Sequence, residues 1–248
     1  MVRRDEIVAW ADEFLDLASY PDYGPMGLQV AGADEVRKIV CGVSASRELF
    51  ERAAESGAQL VLVHHGLFWE KEPRAVGPLM RERLRALFDA DLNLVAYHLA
   101  LDAHPEVGNN ALLCAELGIE QEQRVAGGLG FGGRLRDPVG ISAFAERVQE
   151  RLGRMPLVFP YGPETVERAA VCSGGAARFL GDVADGGFDC FLTGEADEPT
   201  KHAAKERAIH FVAGGHYATE TLGVRALAAR LAERFDLAWD FVDLPNPV

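Results

Sequence analysis

The chain has 248 residues and a mass of 26.9 kDa, with 48% hydrophobic and 25% charged residues, so it has room for one large or two small domains around a buried core and lacks the composition of a disordered chain. Lys plus Arg number 25 against 38 Asp plus Glu, a formal net charge of −13, and no basic run is longer than Arg3-Arg4; so acidic a surface disfavours nucleic acid as a partner. No span approaches the roughly 18 apolar residues of a membrane helix, and Asp5, Glu6, Asp12 and Glu13 interrupt the stretch where a secretory signal would be apolar, so a cytoplasmic protein without a membrane partner is expected.

Ile7, Trp10, Phe14 and Ala18 recur at helical spacing and predict an amphipathic helix over 4–17. A turn-rich stretch over 20–25 follows. Residues 39–43 are short, apolar and β-branched and read as a strand; Ser46 is an N-cap for a helix over 47–56 that stops at Gly57. The alternation continues with a strand over 60–63, a helix over 79–90, a strand over 92–97 and a helix over 110–117 closed by Gly118. Residues 127–133 are dense in glycine and read as a linker running into the first strand of a second domain. Gly128, Gly130 and Gly133 formally match a dinucleotide fingerprint, but Pro138 follows where a helix should open, which argues against cofactor binding there.

The second half repeats the order of the first: strands over 169–172, 190–192 and 209–212, with helices over 176–184, 198–207 and 219–235. A last strand over 237–242 can return to either sheet. These elements predict an α/β protein of two similar domains, 1–125 and 126–248, related by a weak internal duplication. Each is a largely parallel sheet with flanking helices, and the last helix or strand is free to pack on the first domain. Cys41, Cys114, Cys172 and Cys190 lie far apart in apolar runs with no C-x-x-C pair, so they read as core residues rather than disulfides or zinc thiolates.

Four of the seven histidines terminate predicted strands. The strand over 60–63 runs into His64-His65-Gly66, and that over 92–97 into His98 with Asp102 four residues on. In the second half, Phe191-Leu192 runs into Thr193-Gly194-Glu195, and the strand over 209–212 into Gly214-Gly215-His216 with Glu220 four residues on. Carboxyl ends of parallel strands share one sheet edge, where ligands bind. His64, His65, Asp102, His216 and Glu220 offer nitrogen and carboxylate donors without a thiolate, a mixture suited to Fe, Mn, Zn, Co or Ni rather than Ca or Mg. Three histidines and two carboxylates exceed the needs of one open catalytic ion and suit two ions with a bridging carboxylate. His216 and Glu220 share a face once the chain is helical. His104 reads as a turn residue, His202 as helix surface and His210 as a strand residue.

Several segments carry a family resemblance: Gly27-Leu28-Gln29-Val30, Val63-His64-His65-Gly66-Leu67-Phe68-Trp69, Tyr97-His98-Leu99-Ala100-Leu101-Asp102-Ala103-His104-Pro105 with Gly108-Asn109-Asn110, Thr193-Gly194-Glu195, and Gly214-Gly215-His216-Tyr217-Ala218-Thr219-Glu220. In this order they resemble the Nif-three-like family of hexameric proteins with a dinuclear metal centre, described as GTP cyclohydrolase 1 type 2 homologues, in its short bacterial form. The resemblance implies a metal site between two α/β domains and two divalent transition-metal ions per chain, with His65 and Asp102 on one, His64 and His216 on the other, and Glu220 bridging. It also implies a toroidal homo-hexamer. Two departures stand out: Ser44-Ala45-Ser46 lies where the family often has an acidic residue, and Tyr23-Gly24-Pro25-Met26 replaces an Asp-Asn-rich lead.

Two ions of this kind imply metal-assisted hydrolysis of a nucleotide or other phosphorylated small molecule, by opening a guanine-type ring or cleaving a phosphoester. Glu195 is a candidate general base and His98 a candidate substrate contact, each weighed against a role in positioning ligands. Ser173-Gly174-Gly175 can hold a phosphate but reads better as a tight turn, and Phe68 and Trp69 read as core or subunit-contact residues rather than base stackers. The other reading is a non-catalytic metal-binding, metal-delivery or regulatory hexamer.

Overall fold

A computed structural model describes residues 1–248, which fall into two compact units. The first comprises Met1–Leu101 with Gly223–Leu244, the second Asp102–Leu222 with Pro245–Val248. A single cut at 125/126 is therefore not what the chain makes. Helix Asn109–Leu117 buries Ala111, Leu113, Cys114 and Leu117 in one cluster with Phe131, Leu135 and Phe144, which ties it to the second unit. The last strand, Ala238–Phe241, pairs in parallel with Lys38–Ser44 and belongs to the first.

The sheet of the first unit has the order Ala238–Phe241, Lys38–Ser44, Leu60–His65, Asn93–Ala96, Gly27–Val30. The first four strands are mutually parallel, with Ile39 opposite Leu60 and Leu60 opposite Asn93, and Gly27–Val30 closes the edge antiparallel to Asn93–Ala96. Val40, Val61, Val63 and Leu94 pack with Leu49, Phe50 and Leu87 of the covering helices. As predicted, Ser46 caps helix Arg47–Glu55, its side chain accepting from the Leu49 amide at 3.2 Å.

The sheet of the second unit has the order Gln123–Val125, Gly130–Val139, Val166–Val171, Cys190–Thr193, His210–Ala213, Leu157–Pro160. Its three middle strands are parallel, with Ala169 opposite Cys190 and Cys190 opposite His210; the outer strands are antiparallel. Alternate residues feed two clusters, Ala169, Val171, Cys190, Leu192 and Val212 on one side and Ala170, Cys172, Phe191, Phe211 and Ala213 on the other. A strand with both faces covered must be apolar at every position, which is why these segments read as unbroken hydrophobic runs.

The duplication is clearer in the topology than in the residues. Each unit runs helix, antiparallel strand, then three parallel strands linked by helices. Gly27–Val30 and Leu157–Pro160 both precede the parallel set and both pair with its third member. Sequence patterning gave no element over Ile141–Leu152 or Leu157–Pro160, the counterparts of Arg4–Phe14 and Gly27–Val30. Residues 130–133 are no linker. They open the ten-residue strand Gly130–Val139, the first strand expected after the glycine-dense stretch; of the formal fingerprint, Gly128 ends a 3-10 turn, Gly130 and Gly133 lie on the strand, and no helix opens directly after them. All four cysteines are buried, and burial pushes the Cys41 and Cys114 thiols up to about 12, so they are inert core residues. No helix is long and apolar enough to cross a membrane.

Beneath the first sheet, the Tyr97 hydroxyl donates to Asp12 Oδ1 at 2.7 Å. Burial raises the Asp12 carboxyl above its ordinary value and the tyrosine hydrogen bond only partly offsets this. A carboxyl whose folded pKa is raised stabilises the fold below its unfolded pKa and loses that contribution as pH rises through the folded value. Asp12→Asn keeps an oxygen to accept from Tyr97 and cannot ionise. Its melting temperature relative to the parent is expected to rise between about pH 4 and pH 7, as read by calorimetry; a difference independent of pH would contradict this.

Candidate metal centre

In the first unit, strand Leu60–His65 carries both adjacent histidines at its carboxyl end, and His98 follows Asn93–Ala96 on the neighbouring strand. One ring nitrogen from each of His64, His65 and His98 lies within 4.8 Å of the other two. His64 is fully buried, and its Nδ1 is 2.9 Å from the Tyr97 carbonyl. A carbonyl only accepts, so Nδ1 carries the proton and Nε2 is left as the donor atom for a metal. His65 Nδ1 is 3.1 Å from the Ser44 hydroxyl, so the serine at the departure from the family pattern holds a histidine in place.

His98 is held by a residue the sequence did not single out. Asp22 Oδ1 is 2.9 Å from His98 Nδ1, and its other oxygen accepts from the Leu99 amide at 2.9 Å. Burial alone would raise the Asp22 carboxyl, but the hydrogen bond and charge of His98 and the Leu99 and Tyr23 amides outweigh it and hold it below the usual carboxylate value. The amide of Leu99 opens helix Leu99–Ala103, so Asp22 fixes both the ring and the start of the segment that ends at Asp102 and Ala103.

In the second unit, Gly215 leads into the helical turn His216–Thr219, after which the chain bends at Glu220 before helix Thr221–Phe235. The i, i+4 relation brings His216 Nε2 to 3.3 Å from Glu220 Oε2. Glu195, just past strand Cys190–Thr193, bonds the other ring nitrogen, His216 Nδ1. Burial by itself would lower the His216 pKa, yet its hydrogen bonds and charge interactions with Glu220 and Glu195 win and raise it to about 9. Asp102 Oδ1 accepts from Asn109 Nδ2 at 2.8 Å and from the Ser173 hydroxyl at 2.9 Å. Asn109 and Ser173 are thus orienting partners, visible in the sequence only as a motif fragment and a turn.

Asp102 and Glu220 are 6% and 2% exposed, and a carboxylate oxygen of each lies within 4.8 Å of the other. Two buried carboxylates this close repel. A bound cation would offset that repulsion, and Glu195 adds a further carboxyl on the other side of His216. Gly174 gives a second sign of fit. Its φ is +64°, and a Cβ there would collide with Glu220 Oε1 and stand 3.2 Å from His216 Nε2, so only glycine leaves room for these donors. The donor set fits a transition-metal ion.

The other sequence readings also find places. At the turn Ser173-Gly174-Gly175, Ser173 N donates to Asn110 Oδ1, Gly174 N to Thr219 Oγ1 and Ala176 N to Thr193 Oγ1, which engages these amides within the protein as a tight turn does. His104 accepts turn amides from Glu106 and Val107, His210 is a buried strand residue, and His202 is exposed on helix Thr200–Glu206. Segment 99–103 is helical, although its sequence left this open.

The chain is 44% identical over 245 residues to a protein of Pseudomonas aeruginosa named GTP cyclohydrolase 1 type 2 homolog, with 97% of each chain covered. It is also 44% identical over 247 residues to the Escherichia coli K12 protein of the same name, covering 99% of this chain and all of that one. A solved structure described as protein ybgI, of unknown function, superposes over 100% of both chains with a TM-score of 0.96 and 45% identity. The profile of the family Duf34/NIF3 (NGG1p interacting factor 3) matches residues 2–247, and this chain belongs to that family.

Proposed function

We propose that the chain binds two divalent transition-metal ions, of Fe, Mn, Zn, Co or Ni, and is a metal-dependent hydrolase of a nucleotide-like substrate, either GTP cyclohydrolase-type ring opening or phosphoester hydrolysis. His65 and Asp102 serve one ion, His64 and His216 the other, and Glu220 both. The observation that carries the reading is the pair of buried carboxylates, Asp102 and Glu220, packed within 4.8 Å beside the imidazole of His216 and matched in the first unit by a histidine trio with no thiolate. The names of the relatives point to the same substrate class. Two ions bound by these residues would polarise a substrate oxygen and activate water at neutral pH.

The remaining residues prepare the donors. Tyr97 fixes the tautomer of His64, Ser44 holds His65, and Asn109 and Ser173 hold one oxygen of Asp102. Glu195 holds Nδ1 of His216, which makes it a positioning residue here rather than a general base. His98, anchored by Asp22 beside His64 and His65, is the residue best placed to touch a substrate oxygen. The assembly that goes with this reading is the toroidal homo-hexamer.

Elemental mass spectrometry of protein purified without added metal or chelator is expected to find about two transition-metal ions per chain. His216→Ala and Glu220→Ala are expected to lose them together with hydrolysis of GTP or a phosphodiester; full occupancy in Glu220→Ala would refute the bridging role. A metal-loaded protein that turns over neither substrate would favour metal delivery or regulation. Gly174→Ala is expected to cost about 1–2 kcal/mol for its left-handed backbone and to lower metal occupancy by displacing Glu220. Light scattering that returned a monomer would reject the hexamer.

A further inference from the structure

A cavity in the first unit is lined by the segment that directly follows the histidine pair. It holds about 540 Å³, and Phe68, Trp69, Pro73, Val76 and Met80 form much of its wall. Phe68 and Trp69 directly follow His64-His65-Gly66-Leu67, and both are half-buried. Phe68 packs in part on the core, whereas Trp69 lines the cavity and also touches the histidines. Its ring meets His98 edge-on with 5.2 Å between centroids and stands 6.3 Å from His65.

The floor of the cavity is fixed. Gln29 donates to the Pro25 carbonyl at 2.7 Å and accepts from the Leu67 amide at 2.8 Å, and the Glu70 amide donates to the Tyr23 carbonyl at 2.7 Å. A Cβ on Gly24 would collide with the Phe68 carbonyl, so the lead segment lies directly against the backbone of Phe68 and Trp69. The Tyr23-Gly24-Pro25-Met26 departure from the family pattern is therefore part of this wall. Glu70, Glu72 and Arg74 also line the cavity, with the exposed Lys71 between the two acids.

We infer that this cavity is the subsite for the planar heterocycle of the substrate, a nucleobase-sized ring lying against Trp69 while its polar end is at the histidines. The inference rests on the hydrolase reading for the identity of the reacting end, and on the cavity alone for the ring. The volume lies within the range of small-molecule sites, about 300–1,000 Å³, and the wall is mostly apolar with few polar groups, as such sites are. An aromatic face stacks on any base.

The test is calorimetric titration of the full-length, metal-analysed protein with guanosine, adenosine, cytidine, GMP and ribose 5-phosphate, for the parent, Trp69→Ala and Trp69→Phe. At least one nucleoside is expected to bind the parent, and GMP to bind about tenfold or more tightly than ribose 5-phosphate. Trp69→Ala is expected to abolish that difference without changing metal content, and Trp69→Phe to keep most of it. No nucleoside binding at millimolar concentration, equal affinity for GMP and ribose 5-phosphate, or an undiminished difference in Trp69→Ala would overturn the inference. Nucleoside binding by a chain that cannot be loaded with metal would leave the subsite standing and remove the hydrolase reading; metal loading without nucleoside binding would do the reverse.

Discussion

The second unit is organised around the burial of two carboxylates. Asp102 and Glu220 are withdrawn from water at a separation where like charges repel, and the surroundings consist largely of devices that make this tolerable. Asn109 and Ser173 donate to one oxygen of Asp102, His216 faces Glu220, and Gly174 clears the space that a methyl group would fill. Glu195 then adds a third acid on the far side of His216. Its carboxylate raises the affinity of that imidazole for positive charge, whether proton or metal.

The parallel sheet explains how such groups arise from distant parts of the chain. Side chains placed just past the carboxyl ends of adjacent parallel strands come together because the strands share one direction and run side by side. His65 ends one strand and His98 follows its neighbour in the first unit, while Glu195 and His216 do the same in the second. Each unit repeats this with an antiparallel strand beyond the third parallel one, so the same topology delivers imidazoles in one unit and mostly carboxylates in the other.

The parallel strands were legible because a strand covered on both faces is apolar at every position, and the residues 60–63, 169–172 and 190–192 announce themselves in that way. Edge elements were not. Leu157–Pro160, at the edge of its sheet, is only partly buried and includes a proline. Helix Ile141–Leu152 followed a proline and so fell in a stretch that read as a break, although the helix begins three residues later at Ile141. The orienting residues Asp22, Asn109 and Ser173 carry no periodic signal at all, because a hydrogen-bond partner is chosen by proximity in space.

The sequence by itself determined the alternating α/β plan, the strand-end positions of His64, His65, His98, Glu195 and His216, the i, i+4 placement of Glu220 and the core character of the cysteines. All of these depend on local periodicity or on what directly follows an apolar run. Tertiary structure alone decided that Asp102 packs with Asn109 and Ser173 rather than with the strand that precedes it, that the last strand joins the first sheet, that Glu195 supports His216, and that Trp69 walls a cavity instead of filling the core. Each of these is a contact between residues far apart in the chain, and their energies come from burial and hydrogen bonding that exist only once the sheets have formed.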